Sequence, residues 1–198
     1  MDTLLFDFWG TLAYLDEGED FVDKIAVSLG ISRENYTDFV IKVWYKENLT
    51  PEKFAVRLTN EFGRVPKSPL VNLLLSPLKR VKLYPDAIPN LDRLVRKYKL
   101  ALVSDTTPIG KECANIVCID DYFEDTFFSC DYGITKKEGL YGRVLRELKL
   151  EPSACVIIGN SMDSDYSLAE RLKVRAILMD RADKQKGVRK IKELGELT

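Results

Sequence analysis

The stretch Leu4-Leu5-Phe6-Asp7-Phe8-Trp9-Gly10-Thr11 places an acid directly after a short apolar run, and a Gly-Thr pair follows two aromatic residues later. A short apolar run is typical of a strand buried in a parallel sheet. In open α/β sheets, ligands bind just outside the carboxyl ends of such strands. We therefore expect Asp7 to lie at the edge of a sheet, with its carboxylate facing a crevice. A polar residue that merely ends a strand is the alternative interpretation.

Length and composition are those of a globular chain. Its 198 residues, 45% hydrophobic and 31% charged, suffice for one domain with a modest insertion. The net charge of −1 offers no electrostatic basis for binding nucleic acid or a membrane surface. No apolar run approaches the roughly 20 residues of a membrane span, and the N-terminus lacks a basic leader. We expect a cytoplasmic protein with neither nucleic-acid nor membrane partners.

The chain contains no histidine, which excludes every Ser-His or Cys-His mechanism. Its four cysteines show no CxxC spacing and do not predict a zinc site. Catalysis must therefore come from carboxylates, lysine, hydroxyls, backbone amides or a metal ion. The single glutamine, Gln185, among many Lys and Glu residues is weakly typical of thermophilic proteins.

Helical periodicity dominates residues 18–80. After an acidic connector with Glu17 and Glu19, apolar residues recur every four positions from Phe21 to Leu29. The pair Thr50-Pro51 predicts a helix start, with threonine as the cap and proline at the first helical position. No strand pattern interrupts this segment, so we interpret it as a helical insertion.

From residue 82 the chain alternates between strand and helix patterns, which predicts a parallel, doubly wound sheet. A polar helix is expected to close the chain after Asp180. Its six basic residues between Arg181 and Lys192 fit a solvated helix better than a patch for an acidic partner. Besides the first strand, four strands are predicted, at residues 100–103, 126–129, 155–158 and 176–179.

Polar residues follow three of the predicted strands. Asp7 follows the first, Ser104 the second, and Asn160 with Asp163 and Asp165 the fourth. The carboxyl ends of parallel strands point the same way, so these residues are expected to converge.

With these motifs in order, the chain resembles the haloacid dehalogenase (HAD) superfamily, whose members are mostly phosphatases. Asp7-Phe8-Trp9-Gly10-Thr11 looks like the nucleophile motif, and Ser104 resembles the second motif. Gly133-Ile134-Thr135-Lys136 is similar to the third motif, and Gly159 to Asp165 resembles the fourth. Tyr84-Pro85 looks like the return from the family's helical cap.

The resemblance implies an α/β fold with a Rossmann-like, five-stranded core at residues 1–14 and 82–198 and an all-helical cap at residues 15–81. It implies a Mg²⁺-dependent phosphatase that hydrolyses a small phosphorylated metabolite through an aspartyl-phosphate on Asp7. A carboxylate nucleophile of this kind splits one difficult displacement into two easier ones.

By the same resemblance, Mg²⁺ would be held by Asp7, the backbone carbonyl of Trp9, and Asn160. Asp165 would assist directly or through water, with Asp163 as the alternative acid near the metal. Oxygen ligands of this type suit Mg²⁺.

Lys136 would lie beside Asp7, keep it ionised and neutralise phosphate charge, with Lys137 as the alternative. A surface lysine is the simpler interpretation of Lys136 taken alone, and a turn residue that of Ser104. The residues expected to contact substrate are Ser104, Asp105, Trp9 and Thr11.

Two residues depart from the family pattern. Trp9 stands where the family's phosphatases usually have an Asp that transfers protons, and an indole cannot do so. Losing such proton transfer typically costs about 10²–10⁴ in rate. Asn160 stands where an Asp is usual, so we expect the metal to be held less tightly.

Two other functions remain open at this point. One is a metal-independent 2-haloacid dehalogenase with Asp7 as nucleophile, which Trp9 favours and which wants a cap arginine; the insertion offers Arg33, Arg57 and Arg64. The other is a phosphate-binding relic of low activity. The sequence specifies neither the substrate nor the oligomeric state.

Overall fold

A six-stranded parallel sheet forms the centre of the structure, with the strand order β5-β4-β1-β6-β7-β8. The computed structural model describes residues 2–16, 20–63 and 67–197, apart from the side chain of Lys67. Glu17 and Glu19 of the acidic connector and Arg64 of the insertion lie outside the described residues. In chain order the strands are β1 Thr3–Phe6, β2 Ala13–Leu15, β3 Val81–Leu83, β4 Lys99–Ser104, β5 Asp125–Phe128, β6 Cys155–Gly159, β7 Arg175–Met179 and β8 Lys190–Ile191.

Strand β1 lies in the middle of the sheet because its residues are apolar toward both faces. Leu5 pairs in register with Ala101 of β4 and with Ile157 of β6. Leu4 and Phe6 pack into one apolar cluster, while Leu5 packs into another. Successive side chains of a strand point to opposite faces, so this one short run contributes to the core on both sides of the sheet.

Helices cover both faces of the sheet, which confirms the doubly wound α/β fold. Helices α5 and α6 pack on the face of Leu4 and Phe6, and α8 and α9 on the face of Leu5. Among the described residues, no helix combines the length and apolarity that crossing a bilayer requires. The helices are α1 Phe21–Leu29, α2 Arg33–Phe39, α3 Pro51–Phe62, α4 Lys67–Leu75, α5 Ala87–Leu94, α6 Pro108–Ile116, α7 Ser129–Tyr132, α8 Leu140–Glu147 and α9 Ser167–Arg171.

Helices α1 to α4, with the turn that follows to Lys79, form the helical insertion and share an apolar cluster, which Ile109 of α6 joins. Trp44 stacks on Phe54 at 4.1 Å between ring centroids. The predicted cap is present, since the Thr50 hydroxyl accepts a hydrogen bond from the backbone N–H of Lys53. A five-residue π turn, Val40–Trp44, extends α2. The division into a core at 1–14 and 82–198 and a cap at 15–81 stays a prediction.

Strands β2 and β3 pair antiparallel on either side of the helical insertion, with Ala13 opposite Leu83. The sequence analysis did not predict either strand. Each is three residues long, which is too short for an alternating pattern to stand out from the loops around it.

The predicted polar helix at the C-terminus is wrong. After β7 the chain turns at Asp180, whose carboxylate accepts hydrogen bonds from the backbone N–H groups of Lys184 (3.0 Å) and Gln185 (2.7 Å). The turn returns the chain to the sheet as β8, where Ile191 is buried in the core. Lys190 also pairs with Asp180 at 3.0 Å, so this basic residue contributes to the turn.

Replacing Asp180 by asparagine should destabilise the fold near neutral pH and not in acid. Hydrogen bonds to its carboxylate, first from Gln185 and then from Lys184, lower the pKa of Asp180 from 3.8 to about 2. A carboxyl group with a lowered folded-state pKa stabilises the fold above its unfolded pKa, and this stabilisation disappears as the pH falls through the folded pKa.

Urea unfolding of both proteins measures the effect. The wild type should be the more stable protein at about pH 7 and pH 5, and the difference should shrink between about pH 4 and pH 2. A difference that is constant with pH would contradict the assignment.

Candidate active site

Asp7 lies directly beyond β1, at the carboxyl end of the sheet. Its backbone N–H donates to the carbonyl of Ile158 at 2.9 Å, which continues the pairing with β6. The residue is only 6% exposed, and the Thr11 hydroxyl lies 3.4 Å from Asp7 Oδ2 as a donor. Gly10 has a φ of 74°, and a Cβ there would lie 2.1 Å from the Asn160 carboxamide. Glycine is therefore required for the turn that places Asp7 against Asn160.

Lys136 reaches this carboxylate from the loop after α7. Its Nζ lies 2.5 Å from Asp7 Oδ1 and 2.7 Å from Asp165 Oδ1, and its side chain is 2% exposed. Lys137 instead points to solvent, where its Nζ lies 3.6 Å from the exposed carboxylate of Asp163. The structure thus brings Lys136, and not Lys137, to Asp7.

Asp165 holds the far side of the lysine. Besides Lys136, its Oδ1 accepts a hydrogen bond from the Tyr141 hydroxyl at 2.8 Å. Its Oδ2 accepts from the backbone N–H of Ser161 at 3.0 Å. A Cβ on Gly159 would lie 2.3 Å from this carboxylate, so the glycine lets it approach the strand end. Both oxygens of Asp165 are engaged here, and its predicted role near a metal stays a prediction.

Two positioning groups were not recognised from the sequence. Tyr141 is fully buried in α8 and orients Asp165, but it lies five positions after Lys136 and no motif marks it. Asp105 Oδ1 accepts a hydrogen bond from the backbone N–H of Lys136 at 2.8 Å, and its predicted contact with substrate stays a prediction. Its carboxylate therefore holds the loop that carries the lysine.

Burial controls the electrostatics of the cluster. Burial raises the pKa of Asp7 from 3.8 to about 7; the Asp165 carboxylate adds to this rise and the Lys136 ammonium opposes it. Burial works to lower the pKa of Lys136, but the carboxylates of Asp7 and Asp165 hold it well above its ordinary value. Lys136 is therefore a fixed cation, and an added positive charge near Asp7 would favour its ionised form.

The Asn160 carboxamide lies against both the Asp7 carboxylate and the Trp9 carbonyl. One terminal atom of the Asn160 carboxamide lies 3.0 Å from the carbonyl oxygen of Trp9 and 3.2 Å from Asp7 Oδ2. If that atom is the nitrogen, it donates hydrogen bonds to both oxygens. If it is the oxygen, its distances to the other two oxygens match the spacing of adjacent ligands around Mg²⁺, about 3 Å for bonds of about 2.1 Å. The residues present therefore fit a magnesium ion.

Acidic side chains alone would not hold a metal here. Within the described ranges, no group of three or more His, Cys, Asp or Glu residues is arranged for a metal ion. A metal at this site would depend on the Trp9 carbonyl and the Asn160 carboxamide.

Trp9 forms the wall beside the nucleophile. Its indole N–H donates to the Thr106 hydroxyl at 3.1 Å. Its ring packs edge-on against the Phe8 ring, with 4.7 Å between the ring centroids. A Cβ on Gly110 would lie 1.9 Å from Thr106 Oγ1 and 3.2 Å from Trp9 Nε1. The glycine in α6 therefore makes room for this hydrogen bond, which occupies the only proton that the indole can donate.

Ser104 ends β4 and is completely buried. Its hydroxyl has no hydrogen-bond partner among the residues that the structure describes, which is unusual because a buried polar group normally has one. An acceptor supplied by a ligand would relieve this. Its predicted contact with substrate stays a prediction.

A cavity of about 510 Å³ lies between the helical insertion and the carboxyl end of the sheet. Trp9, Thr106 and Gly110 line it from the sheet side, and Tyr36, Trp44, Tyr45 and Arg33 from the insertion. Aromatic side chains therefore form part of its wall, and Trp9, two residues after Asp7 in the chain, lies on its sheet side.

The comparisons with known proteins agree with this geometry. The family model of the haloacid dehalogenase-like hydrolases matches residues 1–172. This chain belongs to the haloacid dehalogenase-like hydrolases. It is therefore a hydrolase, and the predicted family and enzyme class are confirmed. No curated protein matches the chain.

Solved structures share the fold of this HAD-like hydrolase at low sequence identity. A HAD phosphatase from Thermococcus onnurineus is 22% identical with a TM-score of 0.67, over 100% of this chain and 96% of that one. A 2-haloacid dehalogenase from Pseudomonas syringae pv. Tomato DC3000 is 17% identical with a TM-score of 0.72, over 100% and 96%. A HAD family enzyme from Bacteroides thetaiotaomicron, in complex with magnesium and inorganic phosphate, is 19% identical with a TM-score of 0.75, over 94% and 98%.

Replacing Lys136 by methionine should lower the free energy of unfolding by about 3–5 kcal/mol, because it leaves the carboxylates of Asp7 and Asp165 buried without their cation. Lys137→Met is the matched control. That side chain is 63% exposed, so the control should change stability by no more than about 0.5 kcal/mol.

Denaturant unfolding near neutral pH measures both variants. If the two substitutions lower the free energy of unfolding equally, the buried ion pairs of Lys136 with Asp7 and Asp165 do not stabilise this end of the sheet.

Proposed function

We propose that this hydrolase is a Mg²⁺-dependent phosphatase that acts on a small phosphorylated metabolite, with Asp7 as the covalent nucleophile. The observation that carries the proposal is the position of the Asn160 carboxamide. One of its terminal atoms lies 3.0 Å from the Trp9 carbonyl oxygen and 3.2 Å from Asp7 Oδ2. Carboxylate, carbonyl and amide oxygens at this spacing suit Mg²⁺. The complex of the Bacteroides thetaiotaomicron enzyme with magnesium and inorganic phosphate supports the same assignment.

The two oxygens of Asp7 then have separate roles. Oδ2 faces Asn160 and Trp9, so it would hold the ion, which when bound offsets the negative charge of phosphate and carboxylate. Oδ1, 2.5 Å from Lys136 Nζ, would attack phosphorus. The Oδ1–P bond forms as the P–O bond to the leaving group breaks, and water later cleaves the aspartyl-phosphate to release inorganic phosphate.

Lys136 acts on the nucleophile and on the phosphate. Its ammonium group favours the ionised form of Asp7 and would place a fixed positive charge beside the phosphoryl oxygens. Asp165 and Tyr141 fix its position from one side and Asp105 from the other. The lysine therefore needs no reorganisation when charge develops in the transition state.

A metal-independent dehalogenase is the second candidate function. Trp9 favours it, and so does the orientation of Asn160 in which the amide nitrogen donates to Asp7 Oδ2 and the Trp9 carbonyl. The ion pairs of Arg33, an arginine of the helical insertion, argue against this function. Arg33 lies 2.5 Å from Asp20 and 2.8 Å from Asp23. A halide cradle would have to break these ion pairs, and we therefore rank this function second.

Purified protein should release phosphate from 4-nitrophenyl phosphate with stimulation by Mg²⁺, and chelator or Asp7→Asn should abolish the release. Asp163→Asn is the matched comparison. Its carboxylate is 80% exposed and lies 3.6 Å from Lys137 Nζ, so this variant should keep most of the activity.

Chelator-insensitive halide release from 2-chloropropionate, with no phosphate release, would overturn the phosphatase in favour of the dehalogenase. A protein that binds Mg²⁺ and phosphate in thermal unfolding but turns over neither substrate would be the low-activity relic.

Replacing Asn160 by aspartate should strengthen Mg²⁺ binding, because a charged oxygen replaces a neutral one. We expect the half-saturating Mg²⁺ concentration to fall at least about tenfold, equivalent to about 1.4 kcal/mol. Without Mg²⁺ the variant should be less stable than the wild type, since a second carboxylate then faces Asp7 Oδ2.

The dependence of the melting temperature on Mg²⁺ measures both effects without any substrate. If neither protein responds to Mg²⁺, the carboxamide serves as a hydrogen-bond donor to Asp7 and the metal assignment fails.

A further inference from the structure

Tyr45 is a residue of the helical insertion that faces the active site. It follows the π turn Val40–Trp44, and its backbone N–H donates to the carbonyl of Val40 at 3.0 Å. Its ring lines the cavity together with Trp9, Thr106 and Gly110. Single π turns often occur at functional sites because they displace side chains from the regular helical register.

The chain around Tyr45 is attached to the loop that carries the catalytic lysine. Lys46 forms an ion pair with Glu138, and the Asn48 amide donates to Asp131 Oδ1 at 3.1 Å. The carbonyl oxygen of Lys46 lies 3.6 Å from the position of a Cβ on Gly133. These contacts bracket Lys136 on both sides, so Tyr45 has a defined position relative to the nucleophile.

Tyr45 carries a protonated hydroxyl on the insertion side of the cavity. Burial raises the pKa of Tyr45 to about 12, the carboxylates of Asp105 and Asp7 add to the rise, and the Lys136 ammonium opposes it. In the part of the chain that the structure describes, no residue accepts a hydrogen bond from this hydroxyl. The phenol therefore keeps its proton near neutral pH and has it available for a ligand.

Two N–H donors of the core near Asp7 are already engaged. Trp9 occupies the position two residues after the nucleophile, and its one N–H is bound to Thr106. Lys136 is engaged by Asp7 and Asp165. Tyr45, which lines the cavity from the insertion, is then the donor that we assign to an oxygen departing from phosphorus into the cavity.

We propose that Tyr45 is a catalytic residue whose hydroxyl donates a hydrogen bond to the leaving-group oxygen of the substrate. This inference rests on the proposed phosphatase function. As the Oδ1–P bond forms at Asp7, the electron pair of the breaking P–O bond stays on the leaving oxygen. The Tyr45 hydroxyl stabilises that charge, and the departed oxygen then takes its proton from water.

The proposal also restricts the substrate. A hydrogen-bond donor stabilises a leaving oxygen less than full proton transfer does, so the site suits phosphate esters whose leaving group is stable as an anion. The aromatic walls of the cavity, from Tyr36, Trp44 and Tyr45, fit an apolar or aromatic leaving group.

The test compares kcat/KM for two aryl phosphates, because this ratio reports on the step in which the leaving group departs. Phenyl phosphate has a poor leaving group and 4-nitrophenyl phosphate a good one. For Tyr45→Phe we expect a loss on the order of 10² with phenyl phosphate, and a loss of no more than about threefold with 4-nitrophenyl phosphate. The better leaving group needs little stabilisation.

Tyr36→Phe is the matched control, since it removes a hydroxyl from a buried tyrosine that lines the same cavity. It should change kcat/KM by the same factor for both esters. Equal losses with the two esters in Tyr45→Phe, or a change confined to KM, would overturn the role of Tyr45. Wild-type protein without any Mg²⁺-stimulated phosphate release would instead refute the phosphatase itself.

Discussion

The buried ion pair of Lys136 with Asp7 and Asp165 is the interaction on which the rest of the site depends. It brings together residues that are 129 and 29 positions apart in the chain, and both carboxylates and the ammonium group are almost completely buried. Isolated charges at these positions would be strongly destabilising. Each therefore needs the others, and Tyr141, Asp105 and the backbone of Ser161 supply the remaining hydrogen bonds.

The parallel sheet makes this convergence possible. Strand β1 lies between β4 and β6, so residues that follow the three strands meet at one edge although they are far apart in sequence. Two glycines then allow the close approach: Gly10 beside Asn160, and Gly159 beside Asp165. A side chain at either position would separate the groups that the sheet brings together. The site is thus a consequence of strand order and of two missing Cβ atoms.

Trp9 and Asn160, the two departures from the family pattern, lie against each other through the Trp9 carbonyl. The side chain of Trp9 is turned away to Thr106, while its carbonyl faces the candidate ion site. Trp9 therefore contributes its backbone carbonyl to the candidate ion site and its side chain to the lining of the cavity. Across that cavity the helical insertion presents Tyr45, and the contacts of Lys46 and Asn48 with the core tie the insertion to the loop of Lys136.

The sequence by itself determined the α/β class, the five main strands, the helical insertion and the family, because apolar runs and helical periodicity are local patterns. It also singled out Asp7, Lys136, Asn160 and Asp165. It did not reveal the short strands β2 and β3. It also did not reveal the strand β8, which follows the turn that the Asp180 carboxylate stabilises. Tertiary structure alone decided between Lys136 and Lys137, gave Asp105 its contact with the lysine backbone, and placed Tyr141 and Tyr45. These roles depend on which groups are buried together, and burial is a property of the packed chain that no local pattern encodes.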